Sequence, residues 1–262
     1  MLDMGNSTPN DGNIASRRND FGKLADSYKR FRQDYPDRVY ADIFAFCPGR
    51  ASKVLDLGCG TGIVTKRLAG YYEHVVGIDP AQEMLDAGRQ DMPNNIDLIK
   101  ASAEELPFDN ESLNLVVSAA AFHWFDYDKA GAELMRTLIP GGKCCVFWRS
   151  GRTKSMFYLP PFAYENLLKY IPEIPRSNRE PLNKAVFERI GFGDVEEIEY
   201  DFDETYTEED MLGYLQSRST FNLLSEEAKV GYMEDNRRDI RSEVTDGIFN
   251  RESRMIVYRC KK

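Results

Sequence analysis

Histidine is nearly absent from this chain: there are two among 262 residues, His74 and His123, so a metal held by three or more imidazoles is excluded. Cysteine does not make up the deficit. Cys47, Cys59, Cys144, Cys145 and Cys260 include no C-x-x-C pair and have no histidine at metal-ligand spacing. They are expected to be reduced thiols of a cytoplasmic protein, with no metal. Positive charge is also scarce, since 34 Lys and Arg face 43 Asp and Glu for a net charge of -9. That balance repels a phosphate backbone and argues against a nucleic-acid partner. Long apolar runs are missing too. The opening "MLDMGNSTPNDGNIASRRND" has no apolar stretch of the signal-peptide kind, and no later segment reaches the length of a membrane span. Residues 1–18 are polar and expected to form a disordered tail.

What is present is a regular alternation of short apolar runs and amphipathic segments. Phe21, Leu24, Ala25, Tyr28 and Phe31 recur at helical spacing. A second helix is expected from Pro36 to about Cys47-Pro48-Gly49. The runs 53–57, 74–78, 96–100, 113–118 and 143–148 read as strands buried on both faces, with helices at 61–70, 80–90 and 127–138 between them. Strand and helix in alternation imply an α/β fold with a parallel sheet. The pattern then breaks down. A proline-bearing segment, 156–176, precedes a helix at 181–190 and an alternating strand at 194–202. Thr207, with Asp210 three places on, opens a helical insertion reaching about Val244, and 254–260 reads as the last strand. The expected organisation is a core of 19–202 and 251–262, with 203–250 laid over it as a substrate lid.

The most informative stretch is "LDLGCGTG" at 55–62. Three glycines at alternate positions after an apolar strand are more than a plain turn needs, given their entropic cost. A dinucleotide site requires G-x-G-x-x-G, but the third position falls on Ile63 or Thr65. A P-loop requires a following G-K-[ST], which is absent. The observed G-x-G-x-G, followed by "VVGIDP", "ASAEELPF", "LNLVVSAAAFHWF" and "IPGGK", resembles the class I S-adenosylmethionine-dependent methyltransferases of the small-molecule type 11 group. That resemblance implies a Rossmann-like three-layer sandwich with a seven-stranded, mostly parallel sheet, its last strand antiparallel, and a helical lid. It also implies S-adenosyl-L-methionine as cofactor and S-adenosyl-L-homocysteine as product. In that setting the backbone of Gly58, Cys59, Gly60 and Gly62 approaches the methionine end, the following helix N-terminus favours its carboxylate, and Asp56 faces its ammonium. Asp79, followed by Pro80 and with Met84 on the next helix, suits the ribose hydroxyls. A helix cap is the plainer role for Asp79. Ser102, Ala103 and Glu104 are expected at the adenine wall, Ser102 where the family often has Asp. Ala119 and Ala120 leave room where cofactor and acceptor meet.

The acceptor is expected to be a small molecule. Amino-group methyltransferases acting on nucleobases or glutamine place [DNS]-P-P-[YF] after the fourth strand, where this chain has "SAAA"; "LPPF" at 159–162 lies after the fifth. A carboxylate acceptor is already ionised at neutral pH and needs only holding, whereas a phenol or alcohol gains from a general base, for which His123 is the candidate beside a plain packing role. "ADSYKRFRQDYP" at 25–36 is similar to the N-terminal segment of the trans-aconitate methyltransferase group, which acts on small carboxylic acids: Tyr28, Arg32, Tyr35 and Pro36 match, while Gln33 replaces a usual proline. The carboxylate reading therefore names Tyr28, Arg32, Arg149 after the fifth strand and Arg218 in the insertion, arginine suiting bidentate carboxylate binding; solvated arginines are the plainer alternative. Trp124, Trp148, Phe157 and Tyr214 suggest room for an apolar substrate part, or core. A methyltransferase-like module that binds without turnover is a further alternative.

Overall fold

The computed structural model describes residues 25–151, 158–172 and 180–262. Residues 1–18, Phe21, Leu24 and Phe157, about which the sequence raised expectations, lie outside them. Two short helices lead in, α1 (Ala25–Phe31) and α2 (Asp37–Phe46). The alternating half follows as β1 (Val54–Leu57), α3 (Ile63–Ala69), β2 (Val75–Asp79), α4 (Gln82–Arg89), β3 (Ile96–Lys100), β4 (Leu113–Ala119), α5 (Tyr127–Thr137) and β5 (Leu138–Gly151). The remainder is α6 (Pro161–Tyr170), α7 (Lys184–Ile190), β6 (Gly193–Tyr206), α8 (Glu208–Gln216), α9 (Glu226–Glu243) and β7 (Phe249–Lys261).

The seven strands form one sheet in the order β3-β2-β1-β4-β5-β7-β6. Pairs among β1 to β5 are parallel, and β7 runs antiparallel to both neighbours, β5 and β6. Each parallel pair needs a crossover, and the crossover helices cover both faces, so β1 has every residue buried. One core lies on each face. Leu55, Leu57, Val116 and Val146 pack with Phe122 and Phe187 on one side. Val54, Leu115, Val117 and Phe147 pack with Val39, Ile43 and Leu68 on the other.

The helix starts follow their caps. The Asp126 carboxylate accepts from Lys129 N at α5, Asn183 from Ala185 N and Val186 N at α7, Thr207 from Asp210 N at α8 and Ser225 from Ala228 N at α9. The proline-bearing segment contains a helix that its composition conceals. Pro160 and Pro161 sit at the N-cap and first turn of α6, where a missing N–H costs nothing, so they open the helix instead of breaking it.

Helices α6, α8 and α9 enclose a third apolar cluster that includes Leu167, Met211, Tyr214, Leu215 and Tyr232. Helix α1 is fastened to it: the Phe31 ring lies where a Cβ on Gly213 would come within 2.2 Å. Strands β6 and β7 extend beyond the read limits of 202 and 254, with pairing continuing through Glu204↔Arg251 to Tyr206↔Phe249. The sheet itself thus supports the region over its carboxyl edge. Among the described residues no helix is long and apolar enough to cross a membrane.

Candidate active site

At the carboxyl end of β1 the chain must reverse into α3 while leaving its backbone bare. Gly58 takes φ +74°, and a Cβ there would stand 2.5 Å from the Ala121 Cβ, so only glycine fits. The Gly58 and Cys59 N–H groups both donate to Ile78 O at 2.9 Å, which hangs the turn on the end of β2. Asp79 completes the attachment. Its Oδ2 accepts from Gly60 N at 3.0 Å and its Oδ1 from Ala81 N at 2.9 Å, fixing the carboxylate's orientation. The second bond goes to the N–H of Ala81, the N-cap residue of α4, which has no side-chain cap, so Asp79 holds the turn ahead of the helix without being its cap.

Two clefts open along this edge. The larger encloses about 540 Å³ open to solvent and is lined by Gly58, Gly60, Asp79, Pro80, Met84, Ala119 and Ala120, with Ala121, Trp124 and Phe125. Ala120 holds φ +50° there, anchored by its N–H on Phe147 O at 2.8 Å, a strained backbone at a cleft wall. The smaller, about 400 Å³, is lined by Asp56, Gly58, Cys59, Ala119, Tyr28, Arg32 and Arg149, with Gln33, Tyr35, Ile63 and Val64. Tyr28 and the Gly58 turn belong to both clefts, so the two meet there.

Asp56 is the electrostatic feature of the smaller cleft. It is 1% exposed, its Oδ2 accepts from Thr65 Oγ1 at 2.6 Å, and its Oδ1 has no hydrogen-bond partner among the described residues. Burial raises its pKa to about 7. A buried carboxylate oxygen left unbonded on a cleft wall is a ready receiver for an ammonium.

Other sequence candidates lie elsewhere. Gly62 lines neither cleft; it holds φ +78° at the N-cap of α3, a backbone conformation that favours glycine. Ser102, Ala103 and Glu104 line neither cleft: Ser102 Oγ accepts from Glu104 N, and Glu104 Oε1 accepts from Asp126 N, so this block ties the β3 and β4 loops together. The wall of the larger cleft is instead made of Pro80, Met84, Trp124 and Phe125. His123 sits exposed in the short 3-10 turn Phe122–Trp124, beside Trp124, and lines neither cleft. Trp148 stacks on Tyr258 against the core.

The arginines are not solvated. Arg32 donates from Nε to Ser217 Oγ at 2.9 Å and lies between the Tyr28 and Tyr214 rings. The Arg149 side chain is 9% exposed; its Nε ion-pairs with Glu204 Oε1 at 2.9 Å, and its Nη2 donates to Gln33 O and Asp34 O. Arg218 donates to the Tyr214 hydroxyl at 3.2 Å and does not line the clefts. Sequence reasoning missed Arg251 on β7, which is 8% exposed with its guanidinium 3.8 Å from the Tyr158 ring centre. No spacing signal marked it. Among the described residues no group of three or more His, Cys, Asp or Glu is placed to hold a metal.

Comparison with known proteins bears on this arrangement. A family profile described as a methyltransferase domain matches residues 55–146, the glycine turn through β5. An uncharacterized methyltransferase of Schizosaccharomyces pombe is 30% identical over 209 residues, 77% of this chain and 79% of that one. An uncharacterized methyltransferase of Mycobacterium tuberculosis is 40% identical over 130 residues, 50% of this chain, and the match spans about half of the mycobacterial protein's length, 52%. A solved structure of a type II methyltransferase candidate from Anaeromyxobacter dehalogenans superposes with a TM-score of 0.63 at 20% identity, covering 88% of this chain and 97% of that one.

Proposed function

Because the chain belongs to the class I S-adenosylmethionine-dependent methyltransferase family, we propose that it methylates a small molecule and that the accepting group is a carboxylate. The residues fit the cofactor. Asp79 and the bare Gly58–Gly60 backbone suit its ribose and the adjoining chain, the Pro80, Met84, Trp124 and Phe125 wall suits the adenine, and Asp56 Oδ1 suits the methionine ammonium. When bound, the cofactor supplies a sulfonium methyl, whose transfer to a carboxylate forms an O–C bond as the C–S bond breaks, the sulfur keeping the electron pair. No proton has to move.

The observation that carries the carboxylate reading is that Arg32 and Arg149 line the same cleft as Asp56, Gly58 and Ala119. An anionic acceptor entering beside the glycine turn meets guanidinium donors, and alignment alone supplies much of the rate for such a displacement. A phenol would want a base there, and His123 is not brought to the cleft.

The test is S-adenosylhomocysteine release with panels of small carboxylic acids and of phenols or alcohols, with Asp79→Ala as blank. Turnover is expected with acids only, His123→Ala staying within about threefold of wild type, whereas loss of a true general base costs about 100-fold or more. Turnover on phenols that His123→Ala abolishes would overturn the carboxylate reading.

Asp56 adds a pH signature. With the carboxyl pKa raised to about 7 by burial, the unliganded protein gains stability from it below the ordinary carboxylate range and loses that contribution as pH rises through about 7. An ammonium on Oδ1 reverses the preference and expels the proton. S-adenosylhomocysteine affinity is therefore expected to rise between pH 6 and 7 by up to about tenfold per pH unit and to level off above. Calorimetric titration across pH 6 to 8 checks this, and a profile unchanged in Asp56→Asn would remove Asp56 from the site.

A further inference from the structure

Arg32, Gln33 and Tyr35, from the segment that joins α1 to α2, line the smaller cleft together with Arg149. The segment is held from three elements. Gln33 Nε2 donates to Thr205 O on β6 at 2.8 Å, and Asp34 Oδ1 accepts from Tyr35 N at 2.7 Å and from the Tyr40 hydroxyl on α2 at 2.5 Å. From β5, Arg149 Nη2 donates to both Gln33 O and Asp34 O. The Tyr35 ring is fixed as well. Phe147 and Arg149 lie two apart on β5 and so face the same side. The ring stands edge-on to Phe147 with centres 4.9 Å apart, and the Arg149 guanidinium lies 4.3 Å from its centre. Its hydroxyl, by contrast, makes no hydrogen bond among the described residues.

The two arginines of this cleft differ in what they have left to offer. The Arg149 charge is answered by Glu204, and its Nε and Nη2 are committed to that carboxylate and to the two carbonyls. Arg32 donates to Ser217 Oγ and to Ser217 O, and no carboxylate pairs with it among the described residues. Positive charge for an anionic acceptor therefore comes from Arg32, whereas Arg149 is engaged with the backbone that presents Tyr35. Burial pushes the Tyr35 phenol above its ordinary range in spite of the nearby Arg149 and Arg32 cations. The hydroxyl keeps its proton and meets an oxyanion as a donor.

We infer that Tyr35 is an acceptor-binding residue, its phenol donating to the carboxylate that Arg32 holds, and that Arg149 is a positioning residue acting through Tyr35. This rests on the acid-acceptor reading above. An O–H that donates to a carboxylate makes a charge-assisted bond, stronger than one between neutral groups. Arg32 and Tyr35 stand three residues apart on one anchored segment, so their separation is set before the acceptor arrives and less ordering remains for binding to offset.

The test titrates the S-adenosylhomocysteine complex calorimetrically with butyrate, hexanoate, benzoate and succinate. In Tyr35→Phe the tightest of these is expected to bind about tenfold or more weaker than in wild type. Melting temperature and S-adenosylhomocysteine affinity should not change, and in turnover of the same acid the loss should fall on KM and leave kcat within about threefold. Arg149→Lys keeps a cation opposite Glu204 but gives up the planar fork that reaches both carbonyls. Its acid affinity should fall about fivefold when Tyr35 is present and less than about twofold in the Tyr35→Phe background, the non-additivity of residues that act through one contact. Equal losses in both backgrounds would make Arg149 an acceptor ligand and overturn its positioning role. Acid affinity unchanged in Tyr35→Phe, or a fall in S-adenosylhomocysteine affinity or melting temperature in its place, overturns the role of Tyr35 and leaves the acid-acceptor reading standing. If phenols or alcohols turn over and acids do not, the acid-acceptor reading falls; a KM for them raised by Tyr35→Phe would keep Tyr35 as an acceptor ligand, and an unchanged KM would remove it. Wild type that binds no acid and turns over no acceptor overturns both.

Discussion

Asp79→Ala is expected to weaken S-adenosylhomocysteine binding by about 100-fold or more and to abolish turnover. The carboxylate accepts from Gly60 N and Ala81 N and faces the larger cleft. Removing it takes away hydrogen bonds to a charged group, each worth about 1.5–3 kcal/mol, and frees the glycine turn from the end of β2. A loss of about 3 kcal/mol is somewhat more than 100-fold in affinity. Asp79→Asn separates the two contributions. Its carbonyl oxygen keeps one of the two backbone donors while its NH2 faces the other, so an intermediate loss of about tenfold is expected. Calorimetric titration with a parallel melting curve reads both, and affinity within threefold of wild type in Asp79→Ala would confine Asp79 to holding the turn.

The first half of the chain was legible because its local signals agree with one another. Strand 96–100 falls at the residues read from the sequence, Thr207 caps α8 as its spacing with Asp210 suggested, and helices separate β1 from β2, β2 from β3 and β4 from β5 at the amphipathic segments 61–70, 80–90 and 127–138. Strand β1 is buried on both faces, as its apolar run implies, but β3 is not: it lies at the edge of the sheet, with Ile99 36% exposed, so an apolar run did not by itself mark a two-sided strand. The second half obeys other rules. Pro160 and Pro161 lie in a segment to which the sequence reading assigns no element, yet they initiate α6. The outer ends of β6 and β7 escaped notice because, beside Tyr206 and Phe249, the side chains they bury include the polar Glu204, Arg251 and Ser253, which break the apolar pattern.

The candidate site divides in the same way. The glycine turn, Asp56, Asp79, Ala119 and Ala120 come from motifs contiguous in sequence, and the fold brings them to two adjoining clefts. The acceptor side is assembled from the segment after α1 and from β5, so no spacing rule joins Arg32 and Tyr35 to Arg149. Arg251 in "FNRESRMIVY" is indistinguishable from a solvated strand residue until its partner strand is known. Ser102 and Glu104, expected at a ligand, line neither cleft and hydrogen-bond within the loops after β3 and β4.

Glu204→Gln is expected to cost about 3–5 kcal/mol of stability, the usual consequence of removing one member of a buried ion pair. Glu204 is 4% exposed and bonds Ser253 Oγ at 2.5 Å and Tyr206 at 3.2 Å, as well as Tyr158 and Arg149. The amide preserves its shape, so packing is retained and the loss is electrostatic: Arg149 loses its ion-pair partner while its side chain stays 9% exposed. For a chain of this size the melting temperature should fall by about 10 °C or somewhat more. Sulfate should recover more of that loss in Glu204→Gln than it adds to wild type, because an anion can replace the missing charge. Removing Arg251 provides the internal control. Arg251→Met in the wild-type background gives up a cation over the Tyr158 ring but relieves a buried cation with an unbonded Nη1, so it should be neutral or stabilising. In the Glu204→Gln background the same change should restore part of the lost stability, giving a coupling energy above about 0.5 kcal/mol in the double-mutant cycle. A melting temperature within 2 °C of wild type for Glu204→Gln, or strict additivity of the two substitutions, would show that Arg149 and Arg251 are not balanced through Glu204.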